Sequence, residues 1–216
     1  MAARKGPKYS SPLRTSQAQA NRASILSAAH DLFVAQGFGG TTIDQIASAA
    51  GVSKPTIFSA IGNKAAVFKA VRDIAMAGDD SPKSVSQRSS ADRIRSASDL
   101  PSAVQALTLH IVGVVRRAAG IEEVLRGAAA NGDREMQKLW EDSEQERRVG
   151  AELLLTVLVR KSPLAIPRER AIDILRLLMA PDNYQRLVIQ CGWSDLAFRK
   201  WLGEAVITQL FAGGAE

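Results

Sequence analysis

The sequence is poor in the residues that build disulfides, metal centres and membrane spans. Its 216 residues include one cysteine and two histidines, so an internal disulfide is impossible and a zinc site with the usual ligands is not expected. We expect Cys191 to be a buried, inert thiol rather than a redox sensor. The longest apolar runs, such as 151–159, are too short to cross a bilayer, and no apolar signal segment follows the first methionine. These absences predict a soluble globular protein of the cytoplasm.

No pattern typical of an enzyme is present. The sequence contains no Gly-rich phosphate-binding loop. His30 and His110 lie far apart on predicted helices, without the cysteine or carboxylate pattern of a nucleophilic site. We therefore expect no catalysis, no cofactor and no bound metal.

Positive charge is concentrated in the first third of the chain. Residues 1–75 hold 9 Lys and Arg against 3 Asp and Glu, and this excess equals the net charge of +6 of the whole chain. The remainder is balanced, with 19 of the 28 basic and 19 of the 22 acidic residues. Such a basic segment either meets a polyanion such as DNA or is only a solvated tail.

Composition and periodicity divide the chain into four parts. Residues 1–21 are polar and basic, which indicates a disordered arm, and residues 22–76 show the apolar spacing of short amphipathic helices. Residues 77–99 are rich in Ser, Asp and Arg and indicate a linker or hinge, whereas residues 100–216 form a second helical domain. No strand alternation occurs, so the predicted fold class is all-α.

Closely spaced helix starts and stops dominate the second of these parts. Thr42 and Gln45 have the spacing of a capping box, in which each side chain satisfies a backbone N–H at a helix start. Gly51 can end this helix in the left-handed conformation, and Ser53 can cap the next helix, with Pro55 tolerated in its first turn. The pattern predicts a helix-turn-helix, although a plain helical hairpin with a small polar face has the same spacing.

The second helix of this motif has one apolar and one small, polar face. Ile57 and Ile61 recur at the spacing of a buried face. The outward residues can bond phosphates or base edges, or meet thymine methyl groups: Ser53, Lys54, Thr56, Ser59 and Ala60.

The stretch "TTIDQIASAAGVSKPTIFSAIGNKAAVF" resembles the N-terminal DNA-binding signature of the tetracycline-repressor (TetR) family of bacterial transcription regulators. The likeness extends back through "ILSAAHDLFVAQGFGGTT" and covers about residues 22–74. Its specific features are an Ala-Gly-Val-Ser turn, a threonine three residues after the turn serine, and an Asn-Lys pair at the fourth helix. The resemblance implies an all-helical homodimer, with a DNA-binding head on each subunit and a C-terminal body that binds an effector and dimerises.

Three positions depart from the family pattern. Phe58 stands where the family usually has a tyrosine whose hydroxyl contacts phosphate, and Ala60 and Ile61 replace larger side chains. This recognition helix is therefore slimmer and less polar than usual. The resemblance carries over the following positions as DNA contacts: Thr42, Ser53, Lys54, Pro55, Thr56, Phe58, Ser59 and Lys64.

Lys64 and the basic arm are candidates for phosphate contacts. Lys64 opens the fourth predicted helix, where free backbone N–H groups attract the same anion, and the alternative is an ordinary surface lysine. The basic residues of the arm either add phosphate or minor-groove contacts or are only solvated: Arg4, Lys5, Lys8 and Arg14.

The C-terminal part predicts a series of amphipathic helices. They cover about 100–119 with a shorter helix to 131, then 133–161, 168–179, and 182–211 with a break at Gly192. In the family the helix that carries His110 lines the effector cavity. Leu107, His110 and Trp140 are therefore predicted ligand contacts, although His110 and Trp140 also fit ordinary core positions. The last two segments resemble the pair of helices that forms the family's dimer interface.

These patterns together predict a sequence-specific regulator of transcription. The hypothesis is a repressor that a small apolar or amphipathic effector releases from a palindromic operator in double-stranded DNA, with the third helices in major grooves about 34 to 36 Å apart. The alternative is a non-specific basic DNA-binding or scaffold protein without an effector, which would show steep salt dependence and no operator preference. We expect no membrane partner.

Overall fold

The computed structural model describes residues 12–78 and 89–211, and these are helical apart from short turns. The elements are α1 (Pro12–Gly40), α2 (Ile43–Ala50), α3 (Lys54–Ala60), α4 (Lys64–Ala77), α5 (Ser89–Ser96), α6 (Leu100–Ala130), α7 (Arg134–Leu158), α8 (Arg168–Leu178), α9 (Pro181–Tyr184), a π-helical segment (Gln185–Gln190) and α10 (Asp195–Leu210). No strand occurs in these two ranges, and the predicted all-α class is confirmed.

The chain divides into two compact units between Val71 and Arg72, within α4. We call the described residues of the first unit the head and those of the second unit the body. The predicted end of the DNA-binding domain, residue 76, lies further along the same helix.

The head is built around a cluster of three phenylalanines. The rings of Phe33, Phe38 and Phe68 meet with centroids 5.0 to 5.9 Å apart. Ile46 of α2 and Ile57 of α3 are also completely buried. Burying a side chain of this size contributes about 1.5 to 3 kcal/mol. Helices as short as α2 and α3 are marginal alone, so this core is what holds them in place.

The first helix begins earlier than the sequence analysis predicts. It starts at Pro12 rather than near Arg22, so the prediction of a disordered arm is wrong for residues 12–21, while residues 1–11 lie outside the described part of the chain. Proline is well suited to a first helical turn, and the segment that follows is rich in good helix formers. Gly37, with φ 73 and ψ 172, interrupts the regular geometry of α1.

Helix α6 is the central element of the body. It packs against α5, α7, α9 and α10, and its buried face includes Leu107, Ile111, Val115 and Leu125. Its length and composition would suffice to cross a membrane, but half of its apolar stretch is buried inside the protein, as expected of a core helix.

Two predictions about the body are wrong. The helix that is predicted to end near residue 119 runs on to Ala130 without a break at Gly120, because buried residues on both sides, such as Ala119 and Ile121, anchor it to its neighbours. The predicted linker 77–99 contains α5, which joins the body through the buried Ile94. Residues 79–88 of that linker lie outside the described residues.

The C-terminal helices turn at Gly192, where the predicted break is confirmed by a φ of 74. An aromatic group follows, in which Phe198 contacts Tyr184 and Trp201. The Tyr184 hydroxyl donates a hydrogen bond of 2.7 Å to Asp195. Burial and this carboxylate raise the pKa of Tyr184 to about 12, so the phenol stays neutral.

Cys191 is exposed, so the prediction of a buried thiol is wrong. The residue lies directly after the π-helical segment and before Gly192, whose φ of 74 turns the chain away from the helix.

Candidate nucleic-acid interface

The start of α2 is fixed by the predicted capping box. The Thr42 hydroxyl accepts a hydrogen bond of 3.2 Å from the backbone N–H of Gln45, and the Gln45 side chain accepts one of 2.7 Å from the backbone N–H of Thr42. The same glutamine amide donates to Gln36 on α1 at 3.3 Å. Thr42 therefore stabilises the start of α2, and its side chain is exposed.

The turn between α2 and α3 is equally well defined. Gly51 adopts the left-handed conformation with φ 65 and ψ 31, and the N–H of Val52 donates to the Ala47 carbonyl at 3.0 Å. The Ser53 hydroxyl then accepts from the N–H of Thr56 and caps α3. A left-handed residue at a helix end is inexpensive only for glycine. These bonds fix the direction of α3 relative to α2.

The outward face of α3 carries most of the predicted DNA contacts. Ile57 is completely buried, whereas Lys54, Pro55, Phe58 and Ser59 are exposed. Residues at spacings of three and four share one side of a helix, so Pro55, Phe58 and Ser59 form a continuous outward strip. The structure thus brings the predicted residues of this helix together on one exposed surface.

The polar groups of this surface are largely engaged with one another. The hydroxyl oxygens of Ser53 and Thr56 lie 2.8 Å apart, and the Ser59 hydroxyl donates to the Thr56 carbonyl at 3.0 Å. Lys54 pairs with Asp44 on α2, with 2.9 Å between its Nζ and a carboxylate oxygen. Both partners of this pair are exposed, so the pair holds weakly and phosphate can compete for the ammonium.

Lys64 has a structural role that the sequence analysis does not predict. Its ammonium donates to the carbonyls of Phe38 at 2.9 Å and Thr41 at 3.1 Å, and it lies 4.1 Å from the centre of the Phe38 ring. An ammonium has three N–H donors. Two of them therefore satisfy carbonyls at the end of α1 and in the turn after it, which leaves one for a phosphate.

Arg22 is a basic residue of the head that is not among the predicted DNA contacts. Its guanidinium donates to the Ala60 carbonyl at the end of α3, at 3.5 Å. Of the basic arm, Arg4, Lys5 and Lys8 lie outside the described residues, and Arg14 lies in α1.

The predicted effector contacts are less closely grouped than the DNA contacts. Leu107 and His110 lie one turn apart on α6, with Leu107 completely buried in the main core of the body and His110 half-buried. Trp140 lies on α7, half-buried, and is not one of the described residues that form that core. Burial lowers the pKa of His110, and the positive charge of Arg117 lowers it further, so its imidazole is neutral at pH 7.

A buried charge network in the body is absent from the predictions altogether. Arg72 donates to Glu122 at 2.6 Å and to Ser143 at 2.7 Å, and Arg147 also reaches Glu122, at 3.4 Å. The sequence does indicate this network, because each charged residue stands next to a buried apolar one. Arg72 follows Val71 in α4, and Glu122 follows Ile121 in α6. Charges on apolar faces require a partner when they are buried.

The head matches the family of bacterial regulatory proteins described as the tetR family, over residues 25–71. A curated relative, the uncharacterized HTH-type transcriptional regulator YdeS of Bacillus subtilis, is 53% identical over 45 residues, which are 21% of this chain and 23% of that protein. The chain thus matches less than a quarter of the length of this relative.

Solved structures extend the likeness to the whole fold. NalD, the secondary repressor of the MexAB-OprM multidrug efflux pump in Pseudomonas aeruginosa, aligns with a TM-score of 0.65 and 18% identity, over 92% of this chain and 100% of that chain. The fatty acid degradation regulator FadR from Bacillus halodurans aligns with a TM-score of 0.62 and 17% identity, over 92% of this chain and 96% of that chain. At these identities the structures establish a shared fold.

The capped helix-turn-helix and the helical body define the class of a bacterial DNA-binding regulator. Residues 25–71 match the family model of the tetR family, and the resemblance stated from the sequence is confirmed over these residues.

Proposed function

We propose that this protein is a non-enzymatic transcriptional regulator of the cytoplasm that binds a specific site in double-stranded DNA. The observation that carries the proposal is the fixed helix-turn-helix, in which α3 presents Pro55, Phe58 and Ser59 on one exposed side of a basic head. A single helix fits the major groove, which is about 12 Å wide and displays a distinct pattern for each base pair. The positive charge of the N-terminal third supplies attraction to phosphates that does not depend on sequence.

The regulator acts as a homodimer on a palindromic operator. Three large apolar side chains near the end of the body are exposed in the single chain: Leu177 on α8, Ile189 in the π-helical segment and Leu196 on α10, with 64%, 60% and 63% exposure. A second copy that covers these side chains would remove them from water. A two-fold symmetric dimer presents two identical α3 helices, which matches the symmetry of an inverted repeat.

Sedimentation equilibrium tests the dimer. We expect twice the chain mass of 23.2 kDa for the wild type, and a shift to the single mass when Leu177 and Leu196 are both changed to Glu. A wild type that sediments as a single chain at micromolar concentration would refute this part of the proposal.

Occupancy of the operator represses transcription, and a small apolar or amphipathic effector releases the DNA. Two proteins that share the fold support this choice, since one is a repressor of a multidrug efflux pump and the other a fatty acid degradation regulator. We place the effector in the body near Leu107, His110 and Trp140. Such a ligand releases DNA only if it binds the DNA-free state more tightly than the DNA-bound state.

Effector binding is measurable as thermal stabilisation. A ligand at about 100 times its Kd raises the free energy of unfolding by about 2.7 kcal/mol. A panel of fatty acids and amphiphilic cations should therefore contain compounds that raise the midpoint of thermal unfolding and lower the affinity of the protein for the operator. Trp140→Ala should reduce both effects. The effector proposal fails if no compound of either class changes the melting or the DNA affinity.

Selection of bound fragments from random double-stranded DNA at physiological salt tests the DNA-binding proposal itself. We expect enrichment of a short inverted repeat. Fragments enriched without a common motif would contradict sequence-specific regulation and would favour binding by charge alone.

A further inference from the structure

One of the predicted DNA contacts is already paired with a negative charge. Lys54 is the first residue of α3, and its Nζ lies 2.9 Å from a carboxylate oxygen of Asp44 on α2. The two side chains are 49% and 71% exposed. A third charged group, such as a phosphate, can therefore reach both members of this ion pair from solvent.

The other lysine among the predicted DNA contacts keeps its charge. The ammonium of Lys64 donates to the carbonyls of Phe38 and Thr41. Carbonyls are neutral, so they orient this ammonium and leave its unit charge in place. The carboxylate of Asp44 instead cancels the charge of Lys54 at close range. Lys64 thus presents a positive charge to DNA, whereas Lys54 presents an ion pair.

The head contains two acidic residues, Asp31 and Asp44. Asp31 is exposed on α1, and its carboxylate pairs with His30. At 3.6 residues per turn, position 31 lies on the side of α1 opposite the buried Ile25 and Phe33. Asp44 is therefore the acidic residue of the head that contacts a predicted DNA-binding side chain.

Asp44 also has a local role that does not require Lys54. It lies in the first turn of α2, where a carboxylate is favourable because the N–H groups of a helix start carry partial positive charge. This role accounts for an acidic residue at that position. It does not remove the effect of the carboxylate on the neighbouring ammonium, which the proposed function places at a DNA surface.

We propose that Asp44 competes with DNA for Lys54 and so lowers the affinity of the protein for every DNA sequence. This inference rests on the proposed function and adds a residue that weakens the complex. A phosphate takes the place of the carboxylate at the ammonium, and Asp44 loses its partner. Phosphates are uniform along the duplex, so the cost is equal for the operator and for other sequences. The ion pair thereby sets the strength of DNA binding separately from the residues that select the sequence.

The exchange of partners has a consequence for salt dependence. A lysine that binds a phosphate releases a cation from DNA, which makes log K fall more steeply with log salt by about 0.9. In the wild type, Asp44 attracts a cation when it loses Lys54, and this uptake offsets that release. The contact of Lys54 with phosphate therefore adds little to the slope as long as Asp44 is present.

Asp44→Asn tests the inference, because it removes the charge and nearly keeps the size of the side chain. We expect binding to operator and to random DNA to tighten by about fivefold at low salt, the factor that a well-formed exposed ion pair supports. Both slopes should steepen by about 0.9, so the gain should be about 3.5 times larger at 50 mM than at 200 mM salt. A less stable α2 would only weaken binding, so loss of the local role cannot produce this result.

Two further variants separate the ion pair from a general change of charge. Asp31→Asn changes the charge of the head by the same amount at a position away from the pair, and it should leave the slope unchanged. In the Lys54→Met background, Asp44→Asn releases no ammonium, so it should change neither the affinity nor the slope. Fluorescence anisotropy with labelled duplexes over a series of salt concentrations measures all of these quantities.

The outcomes distinguish this inference from the proposed function. Wild-type affinity and slope in Asp44→Asn would overturn the role of Asp44, and so would an equal effect of Asp31→Asn or an equal gain in the Lys54→Met background. Tightening on the operator alone would overturn it as well, because Asp44 would then act on the bases. Each of these results leaves sequence-specific regulation standing. A wild type that binds no DNA would refute both.

Discussion

Arg72 and Glu122 form a buried ion pair, with 2.6 Å between Nε and Oε1 and with 3% and 1% of their side chains exposed. Burial alone would lower the pKa of Arg72, but the charges and hydrogen bonds of Glu122 and Glu146 raise it. Arg72 lies in the third turn of α4, the helix that begins with Lys64 in the head. The pair therefore fixes the second half of that helix to α6 of the body.

Glu122→Gln should destabilise the protein by about 3 kcal/mol, because it leaves the charge of Arg72 buried without its main partner. Denaturant unfolding measures the change. Glu169→Gln is a matched control at an exposed ion pair with Arg148, and it should leave the unfolding midpoint unchanged. Equal, small effects of both substitutions would mean that the buried pair contributes nothing specific.

Lys64→Met should weaken the head and the complex with DNA together. It removes the two hydrogen bonds from the ammonium to the carbonyls of Phe38 and Thr41, which costs about 2 kcal/mol, and it lowers the affinity for all DNA sequences alike. Thermal unfolding and binding to operator and random DNA measure the two effects. A wild-type melting curve for Lys64→Met would exclude the structural role.

Acid should destabilise the body through His110. Burial and Arg117 lower the pKa of His110 in the folded chain, so the unfolded chain takes up the proton first as the pH falls below about 6.5. The stability that the neutral imidazole contributes is present above that pH and is lost below it. His110→Gln should flatten the dependence of the unfolding midpoint on pH between 7.5 and 5.5. An unchanged slope in His110→Gln would contradict this account.

Thr42→Ala should cost about 1 kcal/mol of stability, because it removes the capping box at the start of α2. Denaturant unfolding measures the loss. Thr42→Ser keeps the hydroxyl and should restore most of it. If alanine and serine behaved alike, the cap would not be the source of the stability.

The sequence predicts the head well because its helix ends are encoded locally. Thr42, Gly51 and Ser53 act through their own backbone neighbours, and the structure places each cap at the predicted residue.

The errors and omissions come from contacts between residues distant in sequence. The continuity of α6 through Gly120 depends on packing of the flanking residues against other helices, and Ile94 makes α5 part of the body through such contacts. Lys64 meets Phe38, 26 residues away, and Arg72 meets Glu122, 50 residues away. A charged side chain in an apolar stripe indicates that a partner exists, but only the fold identifies that partner.

The most direct test of the central claim is the ratio of affinities for the selected operator and for a scrambled duplex of the same length and composition, measured at physiological salt. Sequence-specific regulation predicts a ratio of about a thousand or more. A ratio near one, with the same steep salt dependence on both duplexes, would contradict it and would show that the protein recognises only the charge of DNA.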